Sequence, residues 1–292
     1  MKVAIALEWF LNPDHLPLLA AIELGFFAQR GLEVEIIEPD EHYDGFEALK
    51  KGEIAFAINE PLHLIEQFDE KMLDLGTFFE TRGGVMLTRE GETKLLSGQP
   101  IRISTPVENP KTDAIAKEIL RRYGQTKGVH VDIDTITFDK TDFYHIRHIK
   151  EGYDGGWLVF YNFEGVEAKH EKLDVVLIEA ANASYPNFSA LDLFTTKSFY
   201  NDHPDVVKAV IEGIEEAIAN LRAHPHHARE IYYRTTNESP SPLVDEIIQE
   251  TLGCFVTPIR SRAQAHRPIL SFFKEIGISD LDEGLFAGAF LG

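Results

Sequence analysis

At 292 residues with a formal charge of −20, the chain is long enough for two lobes with ample core. It is too acidic for nucleic acid, whose phosphates need a basic surface, or for an anionic membrane face. Its single cysteine, Cys254, excludes an intramolecular disulfide and any thiolate metal or redox centre, and reads as an inert buried filler.

Residues 3–9 read as a strand, 11–15 as a polar turn, and 16–24 as an apolar helix broken by Gly25. A second strand at 33–39 completes a parallel βαβ unit. In such sheets ligands collect at the carboxyl ends of the strands, so Glu8, Trp9 and His15 stand where a small molecule would sit. A helix at 43–51, closed by Gly52, leads to a strand at 54–58 that ends in Asn59-Glu60-Pro61-Leu62-His63. Pro61 suits a helix start, where its missing amide costs nothing. Strands at 73–80 and 84–88 come next, and the polar stretch 91–100 is placed as the first exchange between lobes.

A strand at 101–104, a proline-bearing loop and a helix at 112–123 open a second lobe. Strands at 129–138, 155–160 and 175–179 and a helix at 143–151 fill it, and a strand at 191–196 returns the chain. Beyond 202 the sequence reads as helix. Asp202 and Asp205 cap an amphipathic start, and Pro225, Pro240, Pro242, Pro258 and Pro268 divide the later helices. No run reaches the length of a membrane helix. Met1 stands so close to the first strand that the chain reads as cytoplasmic, or as periplasmic or extracellular if a leader was trimmed.

The order Trp9-x-x-x-Pro13-x-His15-x-Pro17-Leu18, then Gly25-Phe26-Phe27, Gly31-Leu32-Glu33-Val34-Glu35 and Glu38-Pro39, resembles the start of the thiamine-pyrimidine binding proteins. That group includes substrate-binding components of bacterial importers for thiamine precursors and the fungal hydroxymethylpyrimidine phosphate synthases. More distantly it takes in the nitrate, sulfonate and taurine binding proteins. The likeness runs through about residue 66, thins, and returns around 185–235. It implies an α/β, bilobal periplasmic-binding-protein-like (type II) fold, with two mixed-sheet lobes, a hinge and a central cleft. Lobe 1 would comprise 1–95 plus 190–292, and lobe 2 would comprise 96–189.

The resemblance also assigns a site. Trp9 would stack on a flat heteroaromatic ring. Glu8 stands where the fungal enzymes have Asn, and a carboxylate accepts from an aminopyrimidine's amine while repelling a carboxylate or sulfonate. Asn59 and Glu60 would bond ring edges, and His15 and His63 would line the first lobe. In the fungal enzymes a Lys forms a Schiff base with pyridoxal phosphate, and a His four residues on is consumed as substrate. Here those positions are Asn59 and His63, and without an amine no aldimine forms. Their cysteine-rich motif, thought to hold iron, is Tyr185-Pro186-Asn187-Phe188-Ser189 here, with every thiol gone.

In the second lobe, the loop the family uses for ligand phosphates keeps Ser104, Lys111 and Thr112. Pro106, Pro110 and Glu108 weaken that role, and Thr112 equally suits a plain helix cap. Tyr161, Asn162 and Glu164, beyond a strand end, are expected with Asn187 to close on the ligand, whereas Trp157 is at least as well explained as core. His145 and His148 read as surface decoration, and His224, His226 and His227 as a solvated turn rather than a metal site. The expectation is non-catalytic binding of a small nitrogen heterocycle, with no catalytic residue, cofactor or metal. The chain would be the substrate-binding protein of an ABC importer, partnered by its permease, or a cytosolic relative, with no nucleic acid and no membrane insertion. The alternatives are a thiamine- or cofactor-biosynthesis enzyme and a nitrate- or sulfonate-type binder.

Overall fold

The computed structural model describes residues 1–39 and 44–291. Tyr43, expected to begin a helix, and Gly292, expected in the first lobe, lie outside the described residues. The chain divides into two compact units, one of residues 1–80, 190–266 and 281–292, the other of 81–189 and 267–280.

The first unit is built on a five-stranded mixed sheet. Its strands are β1 (Lys2–Ala6), β2 (Glu33–Ile37), β3 (Phe56–Asn59) and β4 (Met72–Glu80), together with a strand from late in the chain, Ala190–Thr196. β1 runs parallel to both β2 and β3, and the late strand runs antiparallel between β3 and β4. β1 and β3 are interior strands, which is why Val3, Ile5, Phe56, Ala57 and Ile58 read as near-continuous apolar runs. Gly52 holds φ +74°, a left-handed conformation that closes the helix Gly45–Lys51 at little steric cost. The helices Leu16–Glu23 and Pro204–Ala223 pack on each other. The second presents Val207, Val210, Ile214, Ala217, Ile218 and Leu221, at spacings of three and four, as one buried stripe.

The second unit has a sheet of related design. It contains β5 (Gly83–Thr88), β6 (Ile101–Thr105), β7 (Ile136–Lys140), β8 (Gly155–Phe160) and β9 (Val175–Glu179), which makes the late strand of the first unit β10 (Ala190–Thr196). β6 lies parallel to β7 and β8, while β5 is antiparallel to β8 and β9.

Several expectations need correction. The first strand ends at Ala6, so Glu8 and Trp9 occupy the loop beyond it. The chain leaves the first unit after Glu80, not between 91 and 100, because β5 pairs only with strands of the second sheet. Most of that polar stretch is the helix Arg89–Leu96, started by the Thr88 side chain accepting from Gly91 N at 2.8 Å and by Glu90 and Glu92 in its first turn. The unit boundaries also give 267–280 to the second unit. Of the expected strand at 129–138, only the last part joins β7, because Ile133–Thr135 turns as a 3₁₀ segment capped by Asp132. His203 rather than Asp202 precedes the long helix, and Pro268 lies inside the helix Ala263–Glu275 instead of ending one. Among the described residues no helix is long and apolar enough to cross a membrane.

Candidate ligand site in the first unit

The site forms at the carboxyl ends of β1 and β3, which lie side by side. Past β1 the chain enters a tight turn because Asn12, with its side-chain oxygen 2.8 Å from Asp14 N, caps a 3₁₀ turn of Pro13, Asp14 and His15. That turn places His15 wholly inside the protein. The Asn12 amide lies 3.3 Å from Nδ1 of His15, which aims Nε2 at the Glu8 carboxylate, 3.1 and 3.2 Å from its two oxygens. Burial is the largest single influence and drives the His15 imidazole toward neutrality. The charge and hydrogen bond of Glu8 with the charges of Asp14 and Glu38 together outweigh it and raise the proton affinity of His15 above the ordinary value. Trp9 is only 8% exposed, with its ring edge-on to Phe10 at 4.5 Å.

Beyond β3 the pattern repeats with two carboxylates. The Asn59 side chain accepts from Glu60 N at 2.9 Å, just before Pro61 begins the helix Pro61–Glu66. One turn into that helix His63 sits between two acids, with Nδ1 2.7 Å from Glu66 and Nε2 3.2 Å from Glu60. Burial opposes a charged imidazole, but the hydrogen bonds and charges of Glu60 and Glu66 raise His63 to about 10. Burial also raises the Glu60 carboxyl, and the charges of Glu8 and Glu66 add to that push, so the two loops share one electrostatic environment. The cluster brings three carboxyls, Glu8, Glu60 and Glu66, to two imidazoles, so hydrogen-bond acceptors outnumber the imidazole donors.

Glu8, His15, Asn59, Glu60 and His63 thus stand together. Asn12 and Glu66, which set the two histidines, escaped the sequence reading, although an Asn before Pro-Asp-His is a legible turn cap. The pyridoxal phosphate and iron of the fungal enzymes do not fit this chain. Asn59 carries no amine and already accepts from the backbone, while the Tyr185 hydroxyl donates to Gly83 O inside a packed core.

The second-unit candidates do not converge in this way. Ser104 is buried, its hydroxyl 3.0 Å from Nδ1 of His145 and 3.3 Å from Gly155 O. Asn109, not Thr112, caps the helix Pro110–Thr126 by accepting from Lys111 N, and Thr112 is buried while Lys111 is exposed. Asn162 and Glu164 are buried in the turn after β8, where Glu164 accepts from Phe160 N at 2.8 Å. Tyr161 lies under the Arg82 guanidinium at 3.7 Å, and the Asn187 amide donates to Thr81 O at 3.0 Å. His145 and His148 are buried, His148 bonding Asp142 at 2.7 Å, which corrects their reading as surface decoration. Cys254 is half-buried rather than a core filler.

Comparison with known proteins agrees with this architecture. The family described as NMT1/THI5 like matches residues 12–228. The formylaminopyrimidine-binding protein of Halalkalibacterium halodurans is 24% identical over 279 residues, covering 86% of this chain and 76% of that protein. The 4-amino-5-hydroxymethyl-2-methylpyrimidine phosphate synthase of Legionella pneumophila is 22% identical over 270 residues, covering 87% and 80%. Among solved structures, the alkanesulfonate-binding protein SsuA from Xanthomonas axonopodis pv. citri superposes with a TM-score of 0.71 at 14% identity, covering 99% of this chain and 98% of that one. The fold is therefore that of the periplasmic binding proteins.

Proposed function

This chain belongs to the NMT1/THI5-like family, and on that premise we propose that it binds a small aminopyrimidine without transforming it. The observation that carries the reading is the Glu8 carboxylate, oriented by buried His15 at the end of β1 and reinforced by Glu60 at the end of β3. Such a group accepts from an exocyclic amine and, when the adjacent ring nitrogen is protonated, from that N–H as well, a paired charge-assisted contact. Trp9 is the proposed wall for the ring, and Asn59 and His63 complete the polar edge. A relative named for binding a formylaminopyrimidine supports this ligand class.

The Glu8 carboxylate argues against an anionic ligand such as a sulfonate or nitrate, which it would repel. Delivery of the bound heterocycle to an importer's permease is the role this binding would serve. A thermal-shift panel of aminopyrimidines, thiamine, pyridoxal phosphate, taurine and nitrate tests the reading. Ligand at 100 times its Kd stabilises the native state by about 2.7 kcal/mol. A shift with an aminopyrimidine alone is the expected result. A shift with taurine or nitrate alone overturns it, and one with pyridoxal phosphate replaces it with an enzyme.

A further inference from the structure

Two strands of the first sheet carry an aspartate in the middle of an apolar run: Leu73-Asp74-Leu75 on β4 and Leu191-Asp192-Leu193 on β10. Both are completely buried. Asp74 lies opposite Phe194 in the antiparallel pairing, and Asp192 is two residues from Phe194, so the carboxylates share a face of the sheet. His266, near the start of the helix Ala263–Glu275, brings Nε2 to 2.8 Å from Asp192 Oδ2 and 3.4 Å from Asp74 Oδ2. One ligating atom from each of the three falls within 4.8 Å of the others. All three belong to the first unit.

We propose that Asp74, Asp192 and His266 bind a divalent first-row transition-metal ion. The two distances from His266 Nε2, 2.8 and 3.4 Å, suit ligands around one centre. With bonds of about 2.1 Å, neighbouring ligand atoms lie about 3.0 Å apart at a right angle and about 3.4 Å apart in a tetrahedron. The carboxylate oxygens of both aspartates are fully enclosed and make no well-aligned hydrogen bond, in contrast to nearly all buried polar atoms. Charge points the same way. Two carboxylates and a neutral imidazole would balance a +2 ion. One nitrogen with two oxygens suits zinc, manganese or iron(II) better than calcium or magnesium, which take all-oxygen shells. Asp192 pairs across the sheet with Asn59, so the ion would also brace the strand that carries the candidate ligand residues.

The proposal is tested on the full chain stripped with a chelator and dialysed against Zn²⁺ or Mn²⁺. About one ion per chain should bind, and Asp192→Asn and Asp74→Asn should each lower affinity about 100-fold. Double replacement of the exposed His224 and His226 by Ala, which removes two of the three histidines at that turn, should leave that binding unchanged. Circular dichroism confirms that the variants fold. Should they not, crystals of the unaltered protein soaked in Zn²⁺ must show an anomalous peak between Asp74, Asp192 and His266. No binding, binding unaffected by both aspartate variants, or a peak only at the turn of His224, His226 and His227 overturns it.

Discussion

His15 Nε2 lies almost equidistant from both oxygens of Glu8, at 3.1 and 3.2 Å, so a buried imidazole fixes the direction of a partly exposed carboxylate. The recognising group is therefore set before ligand arrives, which reduces the ordering cost of binding. Glu8→Gln keeps the shape and removes the charge. Aminopyrimidine affinity should fall about 10- to 100-fold, the range of one charge-assisted hydrogen bond, in calorimetric titration. Sulfonate or nitrate affinity should rise in the same variant, and unchanged affinity for both would remove Glu8 from the site.

His63 gives the fold a pH dependence on its alkaline side. Burial alone would lower it, but Glu60 and Glu66 raise it to about 10 from an ordinary 6.5. A base raised in the folded state contributes its full stability below about 6.5, and that stability drains away as pH climbs through about 10. Glu60, a carboxyl raised by burial, acts with the same sign but from about pH 4.5 upward, where it first ionises in the unfolded chain. Denaturant midpoints should therefore fall between pH 6.5 and 10. His63→Gln should flatten that slope and cost about 3 kcal/mol at pH 7 by leaving two buried acids without their cation.

The positions of most strands were legible because each β-element carries its own local signature. β1, β3 and β8 are apolar runs closed by polar or glycine-bearing turns, and Gly52 marks a helix end by its positive φ. What sequence could not give was the destination of β5. Its residues suit either sheet, and only pairing with β8 and β9 assigns it to the second unit. The histidines failed for a related reason. A His on a six-residue helix looks solvated until the tertiary fold places Ser104 or Asp142 against it. Asp74 and Asp192 had a readable sign, an acid flanked by leucines inside a strand, yet their convergence with His266 spans about 190 residues and needs the fold.

Ser104 and His145 make a second pH-sensitive contact, on the acid side. Burial holds the His145 imidazole neutral, down to about 3, and the neighbouring His148 adds to that effect. A base lowered in the folded state resists protonation, so stability should fall as pH drops below about 6.5 toward 3. Ser104→Ala removes the hydroxyl that meets Nδ1 and should cost about 1–2 kcal/mol in denaturant unfolding. Because Ser104 is enclosed, the same variant should leave affinity for phosphate compounds unaltered, whereas a tenfold loss would restore it to a ligand loop.

Trp157 separates a packing role from a ligand role. Its ring is completely buried on β8 and meets Phe188 edge-on at 6.1 Å. Its indole N–H makes no hydrogen bond among the described residues, so burial and shape account for what it contributes. Trp157→Ala opens a large hole and should cost about 3–5 kcal/mol. Trp157→Phe surrenders volume but no polar contact, and should cost less than about 1.5 kcal/mol, since a smaller aromatic ring can still meet Phe188. If the indole instead served the ligand, Trp157→Phe would preserve stability and abolish aminopyrimidine binding. Unfolding curves and titrations on the same two variants therefore decide between core and clamp, and the burial of the ring sets the expectation: stability tracks ring size while affinity stays constant.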